Sequence, residues 1–145
     1  MDARQTAARS DRQGFLEVRR QEYRTAVAQF AGAMLSYRVA ERDRWIARHN
    51  EGKDAELATQ EAYRLRAAAL DAFYALQLSS ADNDRLRELA RAAVEAGYRI
   101  READTEEEMV RRAHLVRDAL DEVIAAARAG EPGNPSDGET RASRS

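Results

Sequence analysis

The chain has 145 residues, of which 43% are hydrophobic and 34% are charged, so it can bury one core without disulfides and is too apolar to be disordered. Its net charge of -2 excludes the strong basic field of a general nucleic-acid binder. The absence of cysteine excludes thiol nucleophiles, disulfides and thiolate metal sites.

The charges are unevenly spread along the sequence. Residues 1–49 contain 10 arginines and 6 acidic residues, whereas residues 50–145 contain 14 basic and 20 acidic residues. This distribution predicts a mildly basic first helix on an acidic body.

The sequence has no segment that resembles a membrane span. The longest uncharged run, from Thr25 to Tyr37, has 13 residues, whereas a helix needs about 18 to 20 apolar residues to cross a bilayer. The start of the chain lacks the pattern of a secretory signal. We therefore expect a cytoplasmic protein.

The first predicted helix covers residues 14–49. Its apolar side chains recur at steps of three, four and seven residues, which is the seam of an amphipathic or coiled-coil helix. An alanine at every seventh position from Ala26 to Ala47 lets another helix approach closely. The preceding residues 1–13 are polar and non-periodic, so we expect them to be flexible or a frayed extension of this helix. The seam residues are Leu16, Tyr23, Val27, Phe30, Met34 and Tyr37.

The second predicted helix covers residues 54–78. Gly52 supplies the break before it, and Asp54 is placed to cap its first turn. Its second half is apolar on nearly every side, which predicts a central position in the fold. Ser79, Ser80 and the polar residues after them predict a turn that caps the next helix.

Two further helices follow, with a break at Asp104. No glycine or proline marks this break, but a seam continued past Ile100 would bury charged residues, so the helix has to end. Thr105 and Glu108 match a capping box for the fourth helix, which Gly130 ends. The third helix is predicted to bury Leu86, Leu89, Ala93, Gly97 and Ile100, with Gly97 at a close helix crossing. The fourth is predicted to bury Met109, Ala113, Val116, Leu120, Val123 and Ala127.

Four helices joined by short connections predict an all-α protein, an antiparallel four-helix bundle with a long first helix. Helical hairpins exchanged between the two copies of a dimer are the alternative. Residues 14–129 form the single predicted domain. Residues 130–145 contain both prolines and three of the seven glycines, so we expect a disordered tail there.

Three short segments carry a family resemblance. They are residues 19–24 (RRQEYR), residues 61–63 (EAY) and residues 76–80 (LQLSS), the last followed by a helix rich in Arg, Glu and Ala. With these segments the chain resembles uncharacterised all-helical proteins of actinobacteria over residues 15–128. Many members look membrane-anchored through an N-terminal apolar helix, which this chain lacks. The resemblance therefore implies a helical fold, without an activity or a localisation.

The candidate reactive residues favour structural roles. His49 lies at the predicted end of the first helix, where an imidazole commonly caps the last carbonyls. His114 shares a helical face with three acidic residues, but the Glu-x-x-His pairs of a helical di-metal site are missing. Ser36 lies within a helix, Ser79 and Ser80 are explained as caps, and no glycine-rich phosphate loop exists. We therefore expect no catalytic residue, cofactor, metal or enzyme activity. The three acidic residues are Glu107, Asp118 and Asp121.

Two further clusters have both a structural and a functional interpretation. Four arginines of the first helix are interleaved with Glu41 and Asp43, so we expect a solvated, self-paired face rather than a phosphate site. Glu41 continues the seam and is expected to pair with Arg44 or Arg48. Trp45 and five tyrosines are expected to pack in the core rather than line a ligand cavity. The arginines are Arg38, Arg42, Arg44 and Arg48, and the tyrosines are Tyr23, Tyr37, Tyr63, Tyr74 and Tyr98.

The start of the first helix is the predicted partner-binding surface. In an antiparallel hairpin of the first two helices, residue i lies opposite residue 103 minus i, so the second helix ends level with Thr25. Residues 14–24 then overhang the bundle by ~15 Å at 1.5 Å per residue. A kink near Gly14 or Arg24 that folds the segment back is the alternative. The apolar residues left uncovered are Phe15, Leu16, Val18 and Tyr23.

These features favour a non-catalytic protein-protein interaction or scaffold protein that self-associates through its first helix, with a second copy or another protein as its partner. The alternative is a small-molecule-sensing or nucleic-acid-associated helical regulator, which the aromatic residues and the basic first helix favour. We do not expect nucleic acid as the main partner, because the whole chain is acidic.

Overall fold

The computed structural model describes residues 2–50 and 54–131. These residues form four α-helices and one short 3-10 helix, and this part of the chain contains no strand. The predicted all-α, antiparallel four-helix bundle with a long first helix is confirmed. The helices are α1 (Ala3–His49), α2 (Ala55–Ser79), α3 (Asp84–Arg99) and α4 (Glu106–Ala129), and the 3-10 helix (Ile100–Glu102) joins the last two.

Side-chain caps fix where α2 and α4 begin. The Asp54 carboxylate accepts a hydrogen bond from the Leu57 amide at 2.9 Å, as predicted. The Thr105 hydroxyl accepts from the Glu108 amide at 3.1 Å. The Glu108 carboxylate in turn accepts from the Asp104 amide at 3.4 Å, so the predicted capping box forms but closes one residue before the cap.

The cap of α3 differs from the prediction. The side-chain oxygen of Asn83 accepts a hydrogen bond from the Leu86 amide at 3.1 Å. The hydroxyls of Ser79 and Ser80 instead donate to backbone carbonyls four residues earlier, in α2. Serine hydroxyls commonly bond back to the carbonyl four residues earlier in a helix, so both side chains are used within the last turns of α2 and neither caps α3.

The first helix begins well before its predicted start. The Asp2 carboxylate accepts a hydrogen bond from the Arg4 amide at 3.2 Å and caps the helix. The residues that follow are rich in Ala and Arg, which are strong helix formers, and include no proline. Residues 3–13 are therefore a helical extension. Because α1 is one continuous helix, the alternative in which it folds back near Gly14 or Arg24 is wrong.

The centre of the fold is α1 rather than α2. The first helix packs against every other helix, and Phe30, Met34 and Tyr37 have no exposed surface. The second packs mainly on the first, and its Tyr74 and Leu78 side chains are 61% and 84% exposed. Since α2 is apolar on two faces and only one of them meets α1, its predicted central position is wrong.

Hydrogen bonds and a ring contact set the register of the helices. Three α1 side chains donate to backbone carbonyls across the bundle, and their partners move back along the chain as α1 advances, so α1 and α4 are antiparallel. The Phe30 and Phe73 ring centroids are 6.2 Å apart, which matches the predicted pairing of α1 with α2. The three bonds are Tyr23 Oη to Ala127 O at 2.8 Å, Arg38 Nε to Ala113 O at 2.7 Å and Trp45 Nε1 to Ala103 O at 2.8 Å.

The core faces of α3 and α4 follow the predicted seams closely. All six seam residues of α4 are buried. In α3, Leu89 is only partly buried, whereas Ala90 and Val94, which were not predicted, are buried. The helix is therefore rotated slightly about its axis relative to the predicted seam.

The contacts of the bundle continue past the predicted end of the domain at residue 129. The Gly130 amide donates to the Ala126 carbonyl at 3.1 Å, and the Glu131 carboxylate pairs with Arg24 of α1. The bundle therefore includes the first two residues of the predicted tail. The rest of that tail, residues 132–145, lies outside the described residues, as does the predicted break at Gly52.

Gly97 lies at a close crossing of α3 with α1, as predicted. A Cβ atom at this position would lie 2.8 Å from Tyr37 Cε2 and 3.3 Å from Met34 Cε, and both neighbours are fully buried. Gly32 of α1 offers a contrast, because a Cβ there would meet no heavy atom within 4 Å. A methyl group added at Gly97 therefore enters a packed crossing, whereas one added at Gly32 enters open space.

We expect Gly97→Ala to lower the free energy of unfolding by about 1 to 3 kcal/mol, because the added methyl overpacks the crossing. Gly32→Ala is the matched control and should raise it by about 1 kcal/mol, since alanine is the better helix former and meets nothing. Urea denaturation followed by circular dichroism measures both. Stabilisation by both substitutions would show that the two helices do not approach each other at Gly97.

Candidate protein-interaction surface

The N-terminal part of α1 extends beyond the rest of the bundle. The carbonyl of Ala127 accepts the Tyr23 hydroxyl hydrogen bond, and α4 ends only two residues later. The second helix ends at Ser79, in a groove that it shares with Glu22 of α1 and whose outer edge is Val18. Residues 3–19 are all exposed, and at 1.5 Å per residue they span ~25 Å. We call residues 3–19 the N-terminal overhang.

The overhang carries three of the four apolar residues predicted to bind a partner. Phe15, Leu16 and Val18 are 63%, 41% and 56% exposed. Tyr23 is only 4% exposed and lies in the core, so its predicted place on the uncovered surface is wrong. The reason is that the last turn of α4 covers the tyrosine, whose hydroxyl donates to the Ala127 carbonyl.

Charged residues frame the apolar ones on the overhang. Arg12 and Arg19 share a helical face with Phe15 and Leu16, because side chains three and four residues apart are neighbours on a helix. The Arg19 guanidinium lies 5.9 Å from the centroid of the Phe15 ring, a cation-π contact. The overhang contains four arginines and two acidic residues. This arrangement suits an apolar partner surface that has negative charge at its rim.

His49 packs at the end of α1, whereas His114 faces solvent on α4. His49 Nδ1 lies 2.8 Å from the Trp45 carbonyl oxygen, and the two rings stack with centroids 3.8 Å apart. This contact agrees with the predicted capping role of His49. His114 and the three acidic residues of its face are exposed. Within residues 2–50 and 54–131, no group of three His, Cys, Asp or Glu side chains could hold a metal ion.

The predicted arginine face is partly buried. Arg38 and Arg44 are 8% and 5% exposed, so the prediction that this face is solvated is wrong for these two residues. Arg38 donates to the Ala113 carbonyl because its long side chain lies along α1 and reaches α4. Glu41 is 1% exposed, and its Oε1 lies 3.5 Å from Arg44 Nη1, which confirms the predicted pairing.

Burial dominates the electrostatics of this buried pair. It raises the pKa of Glu41 above its usual range, although the positive charges of Arg44 and Arg101 act in the opposite direction. Burial also lowers the pKa of Arg38. Buried ion pairs contribute little net stability, but removing one partner leaves the other uncompensated. We interpret the Glu41–Arg44 pair as a structural contact that depends on both residues.

The aromatic residues divide between the core and the surface. Tyr23, Tyr37 and Trp45 are buried in the core, as predicted. Tyr63 and Tyr74 are 51% and 61% exposed, so the prediction of core packing is wrong for them. Tyr63 lies at the edge of the contact with α1, where the Arg44 guanidinium is 5.3 Å from the centroid of its ring. The exposure of Tyr74 is in keeping with the two-sided apolar composition of α2.

A protein-family model described as KilB plasmid transfer protein matches residues 24–130. The match includes α1 from Arg24 onward and all of α2, α3 and α4. The chain belongs to the KilB family. No curated protein and no solved structure matches it significantly.

The KilB match coincides with the helical body and excludes the overhang. The resemblance found in the sequence covers nearly the same residues, and the family description adds plasmid transfer, which the resemblance did not supply. Tyr23 is the last residue before the match begins. In the described part of this KilB family member, no helix is long and apolar enough to cross a membrane.

We expect Glu41→Ala to lower the free energy of unfolding by about 3 to 5 kcal/mol, because the buried Arg44 loses its counter-charge. A double replacement, Glu41→Leu with Arg44→Leu, should recover most of this loss since no unpaired charge remains. Chemical denaturation of the three proteins gives the comparison.

Glu61→Ala serves as the control for this experiment, since it removes an exposed carboxylate that pairs with Arg64. It should change stability little, because water already solvates both charges. A Glu41→Ala variant as stable as Glu61→Ala would show that Arg44 reaches solvent once its partner is removed.

Proposed function

We propose that this protein is a non-catalytic helical interaction protein that self-associates through its N-terminal overhang. The observation that supports the proposal is the extension of α1 beyond the other helices, with Phe15, Leu16 and Val18 exposed along it. Burying such side chains against a partner is favourable, at about 25 cal/mol for each Å² of apolar area removed from water. A second copy of the chain is a ready partner, because most soluble oligomers are built from identical subunits.

Membership of the KilB family supports plasmid transfer as the process in which this interaction takes place. The family match and the exposed apolar residues lie in different parts of the chain. The family match covers residues 24–130, the helical body, and so bears on the process. The overhang lies outside that range, and its role is argued from exposure and geometry alone.

A nucleic-acid-associated regulator is the second candidate. The family description associates the body with plasmid transfer, and the overhang contains four arginines against two acidic residues. Binding to the DNA backbone releases counterions, so retention of the protein on duplex DNA should fall steeply as salt rises. Retention that depends on salt and survives the loss of self-association would favour this candidate.

We expect the wild-type protein to self-associate at micromolar concentration and the double variant Phe15→Glu, Leu16→Glu to be a folded monomer. Two carboxylates placed in an apolar contact have to be desolvated without partners, which opposes association. Light scattering gives the mass of each species, and thermal melting followed by circular dichroism shows that the variant keeps its fold.

The matched control is Val110→Glu, Leu115→Glu, which places two carboxylates on exposed positions of α4, at side chains 37% and 52% exposed. This control should associate as the wild type does. A wild type that stays monomeric, or a Phe15→Glu, Leu16→Glu variant that associates as strongly as the wild type, would contradict the proposed function.

A further inference from the structure

A groove between α1 and α2 lies at the end of the bundle opposite to the overhang. Its floor is apolar, its volume is about 420 Å³, and three carboxylates line it. We call it the acidic groove. Ile46 and Ala47 of α1 and Leu57 of α2 form its floor, together with two smaller alanines, and Asp43, Asp54 and Glu61 are the carboxylates.

The acidic groove exposes apolar surface in the folded chain. Leu57 is 63% exposed, although it lies in the first turn of α2 directly after the cap formed by Asp54. Asp43 and Glu61 are exposed on the two sides of the groove, and Glu61 also pairs with Arg64 of its own helix, which leaves a surplus of negative charge. The groove therefore combines the exposed Leu57 and the half-buried Ile46 with negative charge, and the overhang combines exposed apolar side chains with positive charge.

The two surfaces match in pattern as well as in sign. On the overhang, Phe15 and Leu16 lie between Arg12 and Arg19 on one helical face. In the acidic groove, the apolar floor lies between carboxylates on two helices. A helix laid into the groove with its apolar residues on the floor brings its flanking arginines toward the carboxylates. Such charge complementarity increases the rate and the specificity of docking.

One molecule cannot make this contact with itself. The overhang and one wall of the acidic groove belong to the same continuous helix, and Leu16 and Ile46 are separated by ~45 Å along it at 1.5 Å per residue. The helix would have to break for the overhang to reach its own groove. Contact between the two surfaces therefore requires two copies of the chain.

We propose that the overhang of one copy docks into the acidic groove of the next copy, an inference that rests on the proposed self-association. The contact is heterologous, because it joins two different surfaces, and it leaves one overhang and one groove free at the two ends of a dimer. Further copies add at these ends, so the assembly grows into a chain or closes into a ring. Pairing of two overhangs instead places arginines opposite arginines, which opposes docking.

The test uses two variants that each disable one of the surfaces. Phe15→Glu, Leu16→Glu disables the overhang and leaves the groove intact, whereas Asp43→Arg, Glu61→Arg disables the groove and leaves the overhang intact. Each protein alone should be monomeric by light scattering. Mixed in equal amounts they should form a 1:1 dimer that grows no further, because the intact overhang of one fits the intact groove of the other.

A charge exchange examines the same contact from the overhang side. The variant Arg12→Glu, Arg19→Glu should bind a protein with the native groove at least about tenfold more weakly, since like charges then face each other. It should bind the Asp43→Arg, Glu61→Arg protein more tightly than it binds the native groove. Asp118→Arg, Asp121→Arg on the exposed face of α4 is the control and should leave association unchanged.

The outcomes separate this inference from the proposed function. If both variants are monomeric and the 1:1 mixture gives no dimer, the overhang does not dock into the groove and the inference is overturned. If the groove variant alone associates as the wild type does while the overhang variant is monomeric, overhangs pair with each other. That result overturns head-to-tail docking and leaves self-association through the overhang intact. If the groove variant does not fold, the Arg12→Glu, Arg19→Glu variant still tests the inference, because both substitutions lie on the exposed overhang. Association of this variant as strong as that of the wild type would overturn the inference.

Discussion

The structure depends on one constraint, which is that α1 is a single continuous helix of 47 residues with two environments along its length. From Tyr23 onward it forms the centre of the bundle, whereas residues 3–19 are all exposed, with Val18 at the edge of a groove that α1 forms with the end of α2. A helix of this kind cannot bend back without losing backbone hydrogen bonds. The apolar side chains of its first part therefore stay uncovered within one molecule, and this drives the proposal of self-association.

The middle of α1 is held by contacts that leave little freedom for rearrangement. Tyr37 lies against Gly97 at the crossing with α3, and its ring meets the Tyr98 ring edge-on with centroids 6.1 Å apart. Glu41 and Arg44 are buried in the next turn. Because these contacts involve α1 and the residues around the α3–α4 connection, they fix the direction in which the overhang projects from the body.

Family membership and surface geometry contribute separately to the functional argument. The KilB match covers the body, whose packing explains most of the apolar residues in the sequence. The overhang and the acidic groove carry apolar side chains that this packing does not explain. They lie at opposite ends of α1 and have opposite charge, so the same helix presents one half of the proposed contact at each end.

Local patterns in the sequence were sufficient to predict most of the fold. The seam of α4, the caps at Asp54 and Thr105 and the close approach at Gly97 depend on neighbours along one helix, so periodicity and capping chemistry predicted them. The exposure of Phe15, Leu16 and Val18 also followed from comparing helix lengths.

Tertiary structure alone decided which helix is central, because α2 has two apolar faces and its sequence does not select the one that meets α1. It also decided that Tyr23 is covered, since that depends on how far α4 reaches along another helix. The burial of Arg38 and Arg44 has the same origin. A long side chain beside a helical seam can reach solvent or a carbonyl across the bundle, and only the position of the neighbouring helices selects between them.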